Sequence, residues 1–375
     1  MANVWVNEIA LKNIANAIRT VKGNPYLKLK PAEMADAISS TSSQADINTI
    51  SFGNSGSDLS AMAYMFNMVS NNPIGNRTDF SGMFSNTGVG TNFFPYLSTT
   101  PADAGLNFSG MFSGCSNLET ITLAQGNSLP TGNGTNFGTM FQACNNLTTF
   151  EGMRVGKGTI FANMFANCSQ LTTLPSPSNF DLSNGTSFRW MFAGCSNLTT
   201  IPVYNVSKGQ DFDGTFQGCG LITFPNWSLP EAINLDNICV SCHGLTSIPS
   251  LNAPKATGFN CSFLDCYNLV SVSSITIPAA EDIEDMFAYC DALRDIPAFS
   301  IPNVVNQYSL MDIFSGCPNL TSTSLNNILQ TLSTATNYTG TKTLAHIGLS
   351  QSQATTCTSL SNWAALEAMG WTTGY

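Results

Sequence analysis

Apolar residues recur along the middle of the chain in one local pattern, which is copied many times. The stretch MFSGCSNLETITL at 111–123 returns as MFAGCSNLTTIPV at 191–203. In each copy a leucine follows the cysteine, three residues later except after Cys219, where it is two residues later. A second apolar residue follows three positions after the leucine in nearly every copy. The pattern predicts a unit with a short helical turn, a corner and a brief extended stretch.

The cysteines mark the period of this repeat, with intervals of 29, 24, 27, 24, 23, 24, 24 and 27 residues. They are Cys115, Cys144, Cys168, Cys195, Cys219, Cys242, Cys266, Cys290 and Cys317. Two copies without the cysteine surround Met65-Phe66 and Met83-Phe84, which brings the expected number of coils to about eleven. One such unit cannot bury its own apolar residues, whereas stacked neighbours can, so the repeat predicts a solenoid.

The predicted fold class is therefore α/β, a solenoid of helix-turn and β-strand coils over residues 60–324. Residues 1–40 are expected to form a small helical module that anchors or docks the protein, because apolar residues from Leu11 onward follow helical spacing. Residues 41–59 are predicted to be a linker and the entry to the first coil. Residues 325–375 are predicted to form a C-terminal cap, since an open solenoid end exposes core.

Two columns of the repeat are candidates for structure and for binding. We expect the cysteines to form a structural ladder of buried thiols, because cysteine packs as a small hydrophobe; disulfides between some of them are the alternative. The position after each leucine varies in chemistry and is the candidate binding face. This face comprises Glu119, Thr148, Thr172, Thr199, Ile222, Thr246, Val270, Arg294 and Thr321. Five aromatic residues are expected to pack rather than to make contacts with a ligand, namely Tyr96, Trp190, Tyr204, Trp227 and Tyr289.

Composition excludes some classes of partner. Only 10% of residues are charged and the net charge is −10, with no run of lysine and arginine, so nucleic acid is not an expected partner. No apolar run reaches the length of a transmembrane helix, so no membrane insertion is expected. The N-terminal sequence does not resemble a signal peptide.

Three metal or cofactor sites can be considered, and none is expected. The CVSCH stretch at 239–243 fits the spacing of haem attachment, but the ladder already explains its second cysteine. A zinc site is the second alternative, with candidate ligands Cys239, Cys242, His243, Cys261 and Cys266. A weak calcium site is the third, from Asp282, Glu284 and Asp285. With two histidines and no nucleophile motif near them, we expect no enzyme activity and no cofactor.

The repeat units resemble the BspA-like leucine-rich repeats of bacterial surface proteins and bacteriophage proteins, over about residues 60–325. The segment at 11–38 resembles a short N-terminal module of phage tail and other virion-associated proteins. The segment at 325–373, with Gly370-Trp371 near its end, is similar to the segment that closes such arrays in phage proteins.

The resemblance implies a non-enzymatic bacteriophage virion protein that is made in the host cytoplasm. The expected role is a tail-fibre or baseplate component for receptor binding or host adhesion, with a capsid decoration or head fibre, or a bacterial cell-surface adhesin, as alternatives. Expected partners are other virion proteins through the N-terminal module and a glycan or protein of the host surface. The sequence leaves open the receptor, the host, the tail or capsid location and the homo-oligomeric state.

Overall fold

The structure is a computed structural model that describes residues 79–87, 89–90, 106–121 and 131–375. The predicted module at 1–40, the linker at 41–59 and the copy at Met65-Phe66 lie outside the described residues. The chain divides into two compact units, Met1–Gly185 and Thr186–Tyr375. In the described part of each unit, successive copies of the repeat stack on one another through parallel pairings.

Each cysteine of the ladder ends a nine-residue stretch that we call the turn segment, as at 107–115. Every second N–H of this segment donates to the following repeat, as Phe108 N does to Asn136 O at 2.8 Å. The N–H groups between them donate three residues back, as Met111 N does to Phe108 O. The predicted short helical turn is therefore wrong, because a helix would bond each N–H four residues back within its own segment.

Two positions in every turn segment have a left-handed backbone, five residues and one residue before the cysteine. The first set is Gly110, Thr139, Asn163, Trp190, Gly214, Asn237, Cys261, Asp285 and Asp312. The second set is Gly114, Ala143, Asn167, Gly194, Gly218, Ser241, Asp265, Tyr289 and Gly316. A positive φ at the third residue of a four-residue turn reverses the peptide direction, so alternate amides face the next repeat.

The core lies inside the turn segments and is built from columns of identical side chains. Phe137 is completely buried and its ring stacks on Phe108 and on Phe161, with centroids 5.7 Å apart in both pairs. In the second unit Phe287 stacks on Phe314 at 6.0 Å. The predicted burial of the repeated apolar residues is confirmed, since the methionine and leucine columns are also inaccessible in the described repeats.

The opposite side of each coil, which we call the strand side, is extended but short. Its two-residue strands are β1 (Thr120–Ile121), β2 (Thr149–Phe150), β3 (Ser247–Ile248), β4 (Leu251–Asn252), β5 (Ser271–Val272) and β6 (Ile275–Thr276). The pairs β1–β2, β3–β5 and β4–β6 are parallel, and each joins equivalent positions of neighbouring repeats. The predicted extended stretch is thus present, although Thr173, Thr223 and Asp295 each contribute only a single bridge to it.

Three helices follow the last ladder cysteine: α1 (Ser322–Ser333), α2 (Gln351–Cys357) and α3 (Trp363–Ala368). Helix α1 packs beside the final extended segment and bonds to it through side chains. Ile296 N donates to Ser324 Oγ at 3.1 Å, and Phe299 N donates to Thr331 Oγ1 at 3.0 Å. Hydroxyls of α1 therefore satisfy backbone groups that a further strand would otherwise bond.

Candidate functional site

Eight of the nine ladder cysteines donate to the equivalent carbonyl of the preceding repeat. Cys144 Sγ donates to Phe112 O at 3.2 Å, and Cys242 Sγ donates to Phe216 O at 2.9 Å. In each case the acceptor belongs to the residue three positions before the cysteine of the preceding repeat. The same geometry holds for Cys115, Cys168, Cys219, Cys266, Cys290 and Cys317. The thiol thus links two repeats. The carbonyl that accepts it, such as Phe112 O, also accepts the N–H of the cysteine in its own repeat, Cys115.

Burial favours the thiol form at several ladder positions. Desolvation raises the pKa of Cys144, and the neighbouring Cys168 and Cys115 raise it further. Burial also raises the pKa of Cys317 to about 12. All twelve cysteines of the chain are thiols rather than disulfides. Since the thiolate is the reactive species, burial lowers the reactivity of Cys144 and Cys317 at neutral pH.

The candidate zinc, haem and calcium ligands are not brought together. Cys239 and Cys242 are buried, whereas His243 is exposed, bonds Asp265 at 3.0 Å and stacks on Tyr267 at 4.6 Å. Within the described residues, no three histidine, cysteine, aspartate or glutamate side chains form a group that could hold a metal ion. The same residues include no helix that is long and apolar enough to cross a membrane.

The candidate binding face lies on the strand side, and its side chains are exposed, apart from the half-buried Thr321. Its backbone forms a line of hydrogen bonds in each unit. In the first unit Thr148 N donates to Glu119 O and Thr172 N donates to Thr148 O. In the second unit the line runs through Thr199, Ile222, Thr246, Val270, Arg294 and Thr321, each N–H donating to the preceding carbonyl.

Four of the five threonines of this face, Thr148, Thr172, Thr246 and Thr321, donate their hydroxyls to the backbone. Thr172 Oγ1 donates to Thr148 O at 3.1 Å, and Thr246 Oγ1 donates to Ile222 O at 3.0 Å. A threonine hydroxyl that donates to the backbone leaves its methyl group facing outward. The face therefore offers a ligand fewer free hydroxyl donors than its composition indicates. Its surface combines threonine methyl groups with the exposed side chains of Ile222 and Val270.

The turn side carries exposed groups that sequence reasoning did not select. Trp190 is 40% exposed although its backbone is left-handed, which is unusual for a bulky residue. The Arg189 guanidinium lies 5.2 Å from the Trp190 ring centroid and bonds Asp213 at 3.0 Å. Asn237 donates to the second oxygen of Asp213. Of the aromatic residues expected to pack, Tyr204 and Trp227 are buried. Trp190 and Tyr289, which is 56% exposed, lie at coil edges against Gly214 and Gly316. Tyr96 lies outside the described residues.

Carboxylates accumulate on the same side of the second unit. Partial burial raises the pKa of Asp236, and the nearby Asp213 and Asp282 add to the effect. Desolvation and the neighbouring Asp282 also raise the pKa of Glu284. Asp282 additionally accepts the Glu284 N–H, as a capping residue does at the start of a turn. The acidic residues considered for calcium therefore have a structural role at the entrance of a coil.

The family scan matches the model described as BspA type leucine-rich repeat region in six copies, over residues 108–221, 139–270 and 260–362. No curated protein matches the chain. Among matching solved structures is one titled "Crystal structure of TLR13-ssRNA13 complex", with 11% sequence identity and a TM-score of 0.21. The alignment covers 73% of this chain and spans 38% of that chain, and a similarity this low supports no inference about function. The family matches together span well over half of the chain, so the chain belongs to the BspA-type leucine-rich repeat family.

Proposed function

We propose that the protein is a non-enzymatic binding protein of a bacteriophage virion, and that the candidate binding face contacts a molecule of the host surface. One observation carries the binding role: the backbone line from Thr199 to Thr321 holds variable, mostly exposed side chains at a regular spacing. Parallel strands lie about 4.8 Å apart, so each repeat contributes one side chain per step along the face.

The chemistry of this face favours a protein surface as its ligand. Ile222 is 49% exposed and Val270 is 39% exposed, and the hydroxyl of Thr246 between them donates to the backbone. Arg294 follows Val270 and adds a charge to the same line. Exposed apolar side chains contribute to binding free energy when a partner removes them from water.

A pair of matched isoleucines tests the face. Ile222 lies on it, and Ile233 has the same exposed fraction of 49% but lies outside it. Ile222→Ser combined with Val270→Ser should weaken binding of the purified chain to host cells by about tenfold or more, because each buried aliphatic side chain contributes about 1.5–3 kcal/mol. Ile233→Ser combined with Val305→Ser should bind as the unmodified chain does. Equal binding by both double variants would refute the role of the face.

The virion assignment is supported by the resemblance of residues 11–38 and 325–373 to segments of phage proteins. Deletion of residues 1–40 should prevent incorporation into particles while the cooperative unfolding transition of the purified remainder is retained. Labelling of intact particles with an antibody should place the protein at the tail, whereas labelling of the capsid would favour a decoration role. Normal incorporation of the truncated chain would contradict the anchoring role of the module.

A further inference from the structure

We infer that an open depression beside the last turn segment is a binding site for a neutral saccharide. The depression has a volume of about 700 Å³ and lies within the Thr186–Tyr375 unit. Repeat residues Asp291, Asp312 and Asn319 form one wall, and Ser350, Gln353 and Tyr375 form the other. Its volume is within the range of about 300–1,000 Å³ that is usual for small-molecule sites.

The walls of the depression are fixed by hydrogen bonds. Gln353 Nε2 donates to Cys317 O at 2.7 Å, while Gln353 Oε1 accepts from Ser350 N and from Ser350 Oγ, both at 2.9 Å. Asn319 Nδ2 donates to Asp291 O at 2.8 Å. A site held in this way loses little conformational freedom when a ligand binds, which favours affinity.

The charges in the depression select against anions. Its lining contains the carboxylates of Asp291 and Asp312 and no lysine, arginine or histidine. In the described part of the chain, no side-chain hydrogen bond or ion pair engages either carboxylate. Both can therefore accept hydrogen bonds from ligand hydroxyls, and a carboxylate acceptor forms stronger bonds than a neutral one. Phosphorylated, sulfated and sialylated ligands would be repelled.

One tyrosine ring, Tyr375, lines the depression, and a second, Tyr289, lies at its margin against the lining residue Gly316. Tyr375 lines the depression, is 61% exposed and donates its hydroxyl to Leu349 O. Tyr289 is 56% exposed and lies against Gly316, which also lines the depression. A Cβ added to Gly316 would stand 2.8 Å from Tyr289 Cδ1, so the glycine is what lets the ring lie this close. Each ring leaves one accessible apolar face for stacking.

This combination matches the surface of a sugar ring, which has an apolar C–H face and an edge of hydroxyl donors. The tyrosine faces would receive the C–H face, and Asp291 and Asp312 would accept from the hydroxyls. The site lies apart from the candidate binding face and does not depend on it. A lysine-rich peptide is the competing ligand, because the net charge of the lining would also attract an amine.

The full chain should be applied to immobilised neutral oligosaccharides, sialylated oligosaccharides and poly-lysine, and each ligand that binds should be titrated by calorimetry. We expect binding to neutral saccharides only. Asp291→Asn and Tyr289→Ala should each weaken it by about tenfold, since a hydrogen bond to a charged group or a ring contact is lost. Tyr289→Phe should retain binding, because the ring rather than the hydroxyl makes the contact.

Matched controls exist on the same unit. Asp295→Asn changes an exposed carboxylate on the strand side. Tyr308→Ala removes a 57% exposed ring, whereas the atoms nearest to Gly316 in the lining all belong to Tyr289. Both controls should bind saccharide normally, and all variants should keep the same unfolding temperature. Binding to poly-lysine alone, binding that ignores Asp291 and Tyr289, or no saccharide binding at all would overturn the inference. Host-cell binding that still depends on Ile222 and Val270 would then leave the proposed function intact.

Discussion

The turn side and the strand side of each coil are organised in opposite ways. On the turn side, four alternate N–H groups per repeat donate to the next repeat, phenylalanine rings stack and a thiol donates back. On the strand side, strands are two residues long, and Thr173, Thr223 and Asp295 each contribute only one bridge. Most hydrogen bonds and ring contacts between repeats therefore lie in the turn segments. On the strand side, side chains can change with little loss of folding free energy.

The largest test of this difference removes a stacked ring from the turn side. Phe137→Ala should lower the free energy of unfolding by about 3–5 kcal/mol, because the ring is fully buried between two others. Thr148→Ala on the strand side loses one hydroxyl bond and should cost about 1 kcal/mol or less. Urea unfolding followed by circular dichroism measures both. A similar decrease in the free energy of unfolding in both variants would contradict the difference between the turn side and the strand side.

A second test compares two left-handed glycines of one turn segment. At Gly218 an added Cβ would meet only Gly194, at an ordinary contact distance of 3.9 Å, so Gly218→Ala should cost about 1–2 kcal/mol from backbone strain alone. Gly214→Ala should cost about 1–3 kcal/mol more, because its Cβ would come within 2.0 Å of Trp190 Cδ1 and displace the ring. The displaced ring should also change the tryptophan fluorescence, whereas Gly218→Ala should leave the spectrum unaltered. Equal costs for the two glycines would mean that Trp190 does not rest on Gly214.

A third test concerns the end of the strand side, where helix side chains bond the backbone. Thr331→Val keeps the shape of the side chain but removes the acceptor for Phe299 N. An unsatisfied buried N–H should reduce the free energy of unfolding by about 1–3 kcal/mol. Thr355→Val, at an exposed position of α2, serves as the control and should have little effect. A neutral result for Thr331→Val would indicate that α1 shields this edge without bonding to it.

The smallest effect is one of reactivity rather than stability. Burial, and then the neighbouring carboxylates of Asp285 and Glu284, raise the pKa of Cys261 to about 11. It is the one cysteine that is not fully buried, so it should react first with iodoacetamide. Because only the thiolate reacts, the rate should rise about tenfold per pH unit from 7 to 10. Mass spectrometry identifies the alkylated residue, and Cys261→Ser should suppress the reaction; rapid labelling of ladder cysteines in the folded protein would contradict their burial.

The apolar repeat made much of the fold predictable. Spacing alone placed the leucines, methionines and ladder cysteines in a stacked interior, since no single coil could bury them. The bonding of the turn segment could not be predicted in this way. Left-handed positions are usually recognised by glycine or asparagine, and here Trp190, Tyr289 and Asp285 also occupy them.

The candidate sites were less predictable than the fold. The exposed row after each leucine could be located because it alternates with buried residues, but the internal use of the threonine hydroxyls could not. The depression is formed where residues 345–353 return to the last turn segment, so no local pattern indicates it. The left-handed positions did contain a useful signal. Where an aromatic residue occupies such a position and a glycine occupies the same position in the following repeat, as for Trp190 and Gly214, the ring lies against that glycine.

The direction of the turn-side bonds gives every coil a polarity. One edge of a turn segment offers four amide donors and the other offers four carbonyls, as between 108–114 and 136–142. A copy inserted in tandem meets a complementary edge on both sides, whereas an inverted copy would oppose donors to donors. An array of this kind can therefore gain or lose whole coils by duplication or deletion, provided that each junction falls outside the turn segment.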